Sequence, residues 1–328
     1  MALAVWGARE VTSGGYSTTG QAENRVRQIK LSAAMAPLQP VHDAWLDAYG
    51  VRLSVLRLDL LHPFISGNKW FKLRPVLEQA EALGQRTLIS FGGAWSNHLL
   101  ALAAAGQQAG FITIGLVRGE VLRPLNPVLA AAEAFGMQLL PLSRTEYRER
   151  HSDAYLHSLR ERWPQARIIP EGGATLEGVL GCQEIARALC WNVPATSPRR
   201  VALATATGTT LAGLVSALDE SVRVEATLVL KGEDTLSAQV QHWLEQLPPG
   251  PRAEWQIVQG WHAGGYARRC PELDAFIAGF VARTGIPLEP VYTGKMMWSV
   301  YGRVARGEIP PDSEVIAIHT GGLPPRST

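Results

Sequence analysis

The sequence predicts an α/β fold in which helices flank open parallel sheets. Short apolar runs alternate with helical stretches from residue 51 onward, the order typical of βαβ units. With 46% hydrophobic residues among 328, the chain can bury a large core, and at roughly 150 residues per domain it holds about two domains. Glycines follow several predicted strands, at positions 92–93, 172–173, 208 and 321–322. Each of these four positions alone also fits ordinary turn chemistry. Together they indicate a ligand cleft, because ligands bind at the carboxyl ends of the strands in an open parallel sheet.

The strands are predicted where short apolar runs lie between turn residues, and the helices where apolar residues recur at helical spacing. The predicted strands are Val51–Leu58, Thr87–Phe91, Ile112–Val117, Gln138–Leu142, Arg167–Pro170, Arg200–Thr205, Val224–Val229, Glu254–Val258 and Glu314–His319. The predicted helices are Leu73–Leu83, Leu99–Gln108, Pro127–Phe135, Tyr147–Arg162, Leu176–Ala188, Thr210–Ala217, Ala238–Leu244, Leu273–Arg283 and Lys295–Arg306.

Residues 1–35 are predicted to form a flexible tail, because Thr12–Ala22 is rich in Gly, Ser and Thr without apolar periodicity; the alternative is a structured N-terminal arm.

Composition excludes several classes of function. A formal net charge of +2 with 18% charged residues argues against a basic nucleic-acid binder and a polyacidic chain. No apolar run approaches the roughly 18 residues of a membrane helix, and Met1–Glu10 lacks the pattern of a signal peptide. The three cysteines form no CxxC pair, so neither a disulfide framework nor a metal site is expected. We therefore expect a cytoplasmic enzyme without nucleic-acid or membrane partners.

One lysine stands at a position suited to covalent chemistry. Schiff-base chemistry needs a lysine, because arginine stays protonated, and lysine is scarce in this chain. Lys69 follows Ser66-Gly67-Asn68, a turn that places the next side chain at a helix entrance, where the local field disfavours the ammonium form. The plainer alternative is a solvated surface charge.

Two strand-to-helix turns are candidate anion sites. After Gly92-Gly93, Ser96 and Asn97 are suited to cap a helix whose N–H groups face a carboxylate, and His98 follows them as either a ligand or a structural residue. The turn 205–210 (Thr-Ala-Thr-Gly-Thr-Thr) combines hydroxyls, backbone N–H groups and a helix start, which predicts a phosphate cup; the alternative is a Thr-capped helix. It matches neither a Walker A loop nor GxGxxG.

The order of these motifs resembles a known family. Five motifs occur in one order over roughly residues 37 to 323: Gly67-Asn68-Lys69 with Lys72-Leu73, Gly92-Gly93 with Ser96-Asn97-His98, the turn 207–214, Val291-Tyr292-Thr293-Gly294-Lys295 and His319-Thr320-Gly321-Gly322. The chain thereby resembles the 1-aminocyclopropane-1-carboxylate (ACC) deaminase and D-cysteine desulfhydrase family, which comprises pyridoxal-phosphate (PLP) enzymes of the tryptophan-synthase β fold (fold type II). The resemblance implies PLP as cofactor, a homodimer, a large PLP-binding domain of residues 36–72 and 170–328, and a small inserted α/β domain of residues 73–169.

The resemblance also implies roles for individual residues. Lys69 would form the Schiff base with PLP and act as general base, and Asn68 would contact the cofactor. The phosphate would be held by Thr207, Gly208, Thr209 and Thr210, and the pyridine nitrogen would be met by Thr293. The substrate carboxylate would be held by Ser96, Asn97 and His98, with Asn97 also at the ring hydroxyl. Tyr292 would lie near the substrate and Tyr266 would be the second active-site tyrosine, so that both tyrosines and Ser96 are catalytic candidates beside Lys69. The chain departs from the family at Ala206 and Thr209, where glycine is usual, and at Gly264, where proline is common before the second tyrosine.

The residue after Tyr292 bears on the substrate. Members that act on ACC have Glu there, which keeps the pyridine nitrogen protonated; Thr293 would leave it largely neutral. The weaker electron sink favours α,β-elimination of a small amino acid, D-cysteine first, to pyruvate, ammonia and sulfide. The alternatives are an ACC deaminase that forms 2-oxobutyrate and ammonia, an amino-acid racemase that uses Tyr292 or Ser96 as the second acid/base group, and a non-catalytic PLP-binding protein.

Overall fold

A computed structural model describes residues 24–65, 67–194, 196–232 and 235–323. Its strands are β1 (Leu38–Val41), β2 (Arg52–Leu56), β3 (Thr87–Gly92), β4 (Ile112–Arg118), β5 (Gln138–Leu142), β6 (Ala166–Ile169), β7 (Arg199–Thr205), β8 (Val222–Leu228), β9 (Glu254–Val258) and β10 (Glu314–Ile318). Each predicted strand is present, with ends shifted by no more than two residues.

Within the described ranges the strands form two sheets. One has six strands in the order β1-β2-β10-β7-β8-β9, and the other has four in the order β5-β4-β3-β6. All neighbouring strands are parallel except β1 and β2, which run antiparallel with Leu38 opposite Leu56. The predicted architecture of open parallel sheets is therefore confirmed. The four-stranded sheet uses residues 87–169 and the six-stranded sheet uses strands before and after it, although the domain boundaries themselves stay a prediction.

The helices cover the faces of both sheets. They are α1 (Arg25–Gln28), α2 (Ala44–Ala48), α3 (Lys69–Ala82), α4 (Asn97–Ala109), α5 (Pro127–Ala134), α6 (Arg144–Arg148), α7 (Asp153–Arg162), α8 (Leu176–Arg187), α9 (Thr209–Ala217), α10 (Leu236–Glu245), α11 (Pro271–Thr284) and α12 (Thr293–Ala305). None of the helices in the described ranges is both long and apolar enough to cross a lipid bilayer.

The long helix predicted over Tyr147–Arg162 is wrong, because the chain forms two helices there. Ser143 and Glu146 build a capping box at the start of α6, which a single turn of 3-10 helix then ends. Ser152 has an extended conformation, and its hydroxyl accepts a hydrogen bond from the Tyr155 amide as the N-cap of α7. Serine caps compete with continuation of a helix, and apolar periodicity alone does not show this.

The tail prediction is wrong for residues 24–35, whereas residues 1–23 lie outside the described residues. Val26 and Ala33 are fully buried. The Arg25 amide donates to Glu81 Oε1 at 2.8 Å, and the indole of Trp70 donates to the Leu31 carbonyl at 2.9 Å. The segment was missed because its few apolar residues show no period, and its contacts with Glu81 and Trp70 join it to a distant part of the chain.

Strand β1 also escaped the sequence analysis, because Pro40 interrupts its short apolar run. The structure explains why proline is tolerated there. β1 lies at an edge of the six-stranded sheet and pairs with β2 on one side, so a missing N–H on the other side breaks no ladder bond.

The helices α3, α8 and α9 are in close contact with one another. A Cβ on Gly181 would lie 1.9 Å from the Phe71 carbonyl oxygen, and one on Gly213 would lie 2.6 Å from the Val179 carbonyl oxygen. Glycine at these two positions therefore lets the three helix backbones touch, which fixes α3 at its first turn.

We expect Gly181→Ala to destabilise the protein by about 1–3 kcal/mol, because the methyl group must push α8 away from α3. Urea unfolding followed by circular dichroism measures the loss. The matched control is Gly250→Ala, since a Cβ at Gly250 meets nothing within 4 Å. Equal stability of the two variants would contradict the close approach of α3 and α8.

Candidate active site

A cavity of about 400 Å³ lies where the carboxyl ends of strands from both sheets meet. Its lining includes Gly93, Gly172, Gly208 and the Gly321-Gly322 pair, so all four glycine turns noted in the sequence reach one place. This confirms the predicted cleft. The remaining walls come from the first turn of α3, the start of α4 and the turn that leads into α9.

Gly67 holds Lys69 at the cavity. Its φ of +63° is a left-handed conformation, and a Cβ there would lie 1.9 Å from the Thr320 carbonyl oxygen. The Asn68 amide donates to that same oxygen at 3.4 Å, so the turn before α3 is bound to the segment that follows β10. Lys69 is the first residue of α3, as the sequence predicted for a helix entrance.

The amine of Lys69 is set up to be partly neutral near pH 7. Burial, together with the neighbouring Lys72 charge, lowers the pKa of Lys69 to about 7. Its Nζ donates to Asn68 Oδ1 at 2.9 Å, and Asn68 Nδ2 in turn donates to Thr210 Oγ1 at 2.8 Å. Asn68 thus orients the amine, and a free amine is what nucleophilic attack or proton abstraction requires.

Lys72 is a site residue to which the sequence analysis assigned no role. It is buried, and burial lowers its pKa. Its Nζ donates to the Gly172 carbonyl at 3.2 Å and to Thr207 Oγ1 at 3.3 Å. The available signal was its spacing of three residues from Lys69, which places both side chains on one face of a helix. Lys72 adds a positive charge beside the turn at 205–210.

The turn at 205–210 has the geometry of an anion cup. Gly208 has a φ of +72° and is the N-cap of α9, and its amide donates to Thr205 Oγ1 at 3.2 Å. The amides of Thr209, Thr210 and Leu211 find no acceptor within the part of the chain that the structure describes. Free N–H groups at a helix start attract an anion such as phosphate. A simple Thr-capped helix is ruled out, because the cap is Gly208 and makes no side-chain bond.

The threonine hydroxyls of this turn are not equally accessible from the cavity. Thr207 and Thr210 line the cavity, whereas the side chain of Thr209 is fully buried and is not part of the lining. The predicted contact of Thr209 with an anion is thus limited to its backbone N–H. Thr207 Oγ1 lies 3.3 Å from Thr209 Oγ1 and also accepts from Lys72, so it connects the charge of Lys72 to the cup.

A second anion site lies at the start of α4. Ser96 is its N-cap and accepts a hydrogen bond from the Leu99 amide at 3.3 Å, which leaves the amides of Asn97 and His98 without an acceptor among the described residues. Asn97 also lines the cavity, and its Nδ2 lies beside Gly322, where a Cβ would come within 2.9 Å. These groups suit a carboxylate, as the sequence predicted for this turn.

The ring of His98 does not fit the predicted role of a donor to a carboxylate. Ser90 Oγ donates to the Ile169 carbonyl at 2.8 Å, so it must accept from His98 Nε2, which lies 2.8 Å away. Burial and the charges of Lys69 and Lys72 lower the pKa of His98 to about 3, so the ring is neutral and its Nδ1 carries no proton. Its backbone N–H, rather than its ring, is therefore available to a carboxylate.

The two predicted tyrosines meet at the cavity. Tyr292 and Tyr266 both line it, and the Tyr292 hydroxyl donates to the Tyr266 hydroxyl over 3.5 Å. Burial raises the pKa of both phenols, and their proximity raises that of Tyr292 further. Both stay protonated at neutral pH and act as hydrogen-bond donors. Gly264 in place of proline has not displaced Tyr266 from the site.

Thr293 does not reach the cavity, contrary to the sequence prediction. It is fully buried and is not part of the lining. Its amide donates to Glu289 Oε1 at 2.6 Å and its hydroxyl lies 3.3 Å from the same oxygen, so Thr293 completes the N-terminus of α12. Thr320 lines the cavity instead, and its hydroxyl has no hydrogen bond to any other described residue.

Comparisons with known proteins match most of the length of the chain. Residues 30–321 match the family described as "Pyridoxal-phosphate dependent enzyme". A bifunctional D-cysteine desulfhydrase/1-aminocyclopropane-1-carboxylate deaminase of Arabidopsis thaliana, named as mitochondrial, is 26% identical over 84% of this chain and 73% of its own length. A Pyrococcus abyssi protein, provisionally named 1-aminocyclopropane-1-carboxylate deaminase, is 28% identical over 84% of this chain and 86% of its own length.

Solved structures agree on the fold. A crystal structure described as an ACC deaminase homologue matches with a TM-score of 0.76 at 22% identity, covering 92% of this chain and 95% of that one. Threonine deaminase isoform 2 of Solanum lycopersicum matches with a TM-score of 0.61 at 14% identity, covering 95% of this chain and 86% of that one. The predicted fold type II architecture is thereby confirmed.

The effect of the Lys72 charge on the pKa of Lys69 can be tested by titrating Lys69. We expect Lys72→Met to raise the pKa of Lys69 above about 7, because the repulsion that disfavours the Lys69 ammonium is removed. The pH dependence of Lys69 acylation in the cofactor-free protein, followed by mass spectrometry, measures this pKa. Lys231→Met, which removes an exposed lysine outside the cavity lining, is the control and should leave it unchanged. An unaltered pKa in Lys72→Met would refute the coupling.

Proposed function

The chain belongs to the family of pyridoxal-phosphate dependent enzymes, and on this basis we propose that it catalyses α,β-elimination on a small amino acid. The proposed substrate is D-cysteine, with pyruvate, ammonia and sulfide as products. The observation that carries the proposal is the amine of Lys69, which has a pKa of about 7 and lies in a cavity with one anion site at α9 and another at α4. This combination suits an amino acid and a phosphate-bearing aldehyde.

The residues present fit pyridoxal phosphate. The free amides at the start of α9, with Lys72, would hold its phosphate, and the Lys69 amine would bind its aldehyde carbon. Thr320, in place of Thr293, would present its hydroxyl to the pyridine nitrogen, because Thr320 lines the cavity and Thr293 does not. When bound, the cofactor supplies an electron sink for the charge that develops on the substrate Cα.

The side chains of this protein would then bind the substrate and move its proton. The amides of Asn97 and His98 would bind the carboxylate, which orients the Cα–H bond. The neutral form of Lys69, held by Asn68, would remove the α-proton. Tyr266, whose hydroxyl accepts from Tyr292 and keeps its own proton, would donate a hydrogen bond to the substrate beyond Cα.

The choice of elimination over ring opening rests on the carboxylates at and beside the cavity, because none of those in the described residues is free to bind the pyridine nitrogen. Both oxygens of Glu289 are engaged by backbone amides, those of Val291, Tyr292 and Thr293, at 2.6–2.7 Å. Glu171, the acidic residue of the lining, is paired with Arg150 at 3.0 Å. A hydroxyl such as that of Thr320 leaves the pyridine nitrogen largely neutral, which suffices when the substrate has a good leaving group.

ACC deamination is the second candidate, and the names of the relatives favour it. The Arabidopsis relative is named for both activities, and the Pyrococcus abyssi relative for ACC deamination. The homodimer that the resemblance implies and the cytoplasmic location expected from the composition remain predictions of this proposal.

A keto-acid assay on the PLP-loaded protein tests the proposal. We expect pyruvate and sulfide in equal amounts from D-cysteine and no 2-oxobutyrate from ACC, because the leaving thiolate lowers the demand on the electron sink. Lys69→Ala should abolish pyruvate formation while the far-ultraviolet circular dichroism stays unchanged. Formation of 2-oxobutyrate from ACC would establish the second candidate, and no keto acid from either would refute both.

Valine variants of Thr320 and Thr293 test which of the two hydroxyls faces the cavity. We expect Thr320→Val to lower kcat for D-cysteine about tenfold and to shift the visible absorbance of the bound cofactor, because a cavity hydroxyl is lost. Thr293→Val should instead lower the free energy of unfolding by about 1–2 kcal/mol, because its hydroxyl is bound to Glu289. If instead Thr293→Val shifted the cofactor absorbance and Thr320→Val lowered the free energy of unfolding, Thr293 would be the residue that faces the cavity.

A further inference from the structure

We propose that Arg118 binds an anionic group on the side chain of the substrate. The preferred substrates would then be β-thio-substituted D-amino acids whose substituent ends in a carboxylate or a similar oxyanion. This inference rests on the proposed elimination activity and names the substrate class of the same cavity. D-cysteine has the same β-sulfur but lacks the anionic substituent.

Arg118 places an unbalanced positive charge at the cavity. It is the last residue of β4, so it projects from the carboxyl edge of the four-stranded sheet, and it lines the cavity. No carboxylate among the described residues lies within 4 Å of its guanidinium group. Its guanidinium carbon lies 5.8 Å from the centre of the Tyr147 ring, which holds the side chain without neutralising it.

Arg150 lies in the same cavity wall, and its positive charge is paired with a carboxylate. Its guanidinium carbon lies 4.7 Å from the same Tyr147 ring, its Nε donates to Glu171 Oε2 at 3.0 Å, and a terminal nitrogen donates to the Tyr147 carbonyl at 2.9 Å. The Tyr147 ring is thus in contact with two guanidinium groups, and Glu171 offsets one of them. Arg118 keeps its donors free for a ligand.

The other anions of the proposed reaction already have their own sites. The cofactor phosphate is served by α9 and Lys72, and the substrate carboxylate by the start of α4. A third anion is therefore what Arg118 can accept, and a guanidinium group binds a carboxylate through two parallel hydrogen bonds. A substrate with an uncharged side chain could be eliminated as well but would form no such pair with Arg118.

The test compares two substrates that differ only in charge, S-carboxymethyl-D-cysteine and S-carbamoylmethyl-D-cysteine. In both, Lys69 takes the α-proton, the electron pair of the Cα–H bond forms the Cα–Cβ double bond, and the Cβ–S bond breaks. The sulfur leaves with its electron pair as thioglycolate or as its amide. Water then hydrolyses the released 2-aminoacrylate to pyruvate and ammonium, so one assay reads both substrates.

We expect the unaltered protein to prefer the carboxylate over the amide by about tenfold or more in kcat/KM. Arg118→Met should bring that ratio to about one. Arg160→Met, which removes an exposed arginine of α7 outside the cavity lining, should leave the ratio unchanged. A ratio near one in the unaltered protein, or an unchanged ratio in Arg118→Met, would overturn the proposal.

Arg118→Lys separates direct recognition from general attraction of anions. Lysine keeps the charge but lacks the planar fork, so we expect most of the preference to be lost. If Arg118→Lys keeps the full preference and the preference fades between low and high salt, the charge only attracts anions from a distance and direct binding is wrong.

Equilibrium binding supplies a readout that does not depend on turnover. Calorimetric titration of both compounds into PLP-loaded Lys69→Ala protein should show tighter binding of the carboxylate, and this difference should vanish when Arg118→Met is added. If no keto acid forms from any substrate but the binding difference persists, the elimination reaction is wrong and the Arg118 site stands. If keto acid forms without a charge preference, the elimination reaction stands and the Arg118 site is wrong.

Discussion

The burial of two lysine side chains, three residues apart on one helix, is the constraint on which the rest of the site depends. Moving an ammonium group out of water disfavours its charged form, and a second ammonium nearby disfavours it further. Lys69 responds by a pKa of about 7, while Lys72 donates to the Gly172 carbonyl and to Thr207. Burial, together with the same two charges, keeps His98 neutral. A phosphate placed between Lys72 and the start of α9 would relieve this charge, which is why the apoprotein geometry points to an anionic cofactor.

The position of these lysines is set by backbone contacts rather than by side-chain packing. Gly67 lies against the Thr320 carbonyl, and Gly181 lies against the Phe71 carbonyl, so α3 is held at its start and along its first turns. Both contacts are closer than any other residue would allow. Two helix starts, those of α4 and α9, then face the cavity with free N–H groups. Catalysis of the proposed kind needs such fixed groups, because they hold charged ligands without reorganising.

Much of the site could be predicted because it is local in sequence. The glycine turns and helix starts around Lys69, Ser96 and Gly208 are readable from short motifs, since a turn, a cap and the first N–H groups of a helix lie within a few residues. Lys72 shows the limit of this approach: its spacing was visible, but its contacts with residues 172 and 207 depend on how distant strands meet. The break at Ser152 was missed for a related reason, because a cap is recognised only where the chain takes an extended conformation.

The sequence by itself determined the alternation of strands and helices, the family resemblance, the Schiff-base lysine as a candidate and the turns that surround it. Only the tertiary structure decided which hydroxyl and which nitrogen face the cavity. Thr293 is turned into the core because Glu289 binds its amide and hydroxyl, and Thr320 lines the cavity in its place. The proton of His98 lies on Nε2 because the single proton of the Ser90 hydroxyl is already donated to the Ile169 carbonyl. These outcomes depend on contacts between residues far apart in the chain, and such contacts have no local pattern in the sequence.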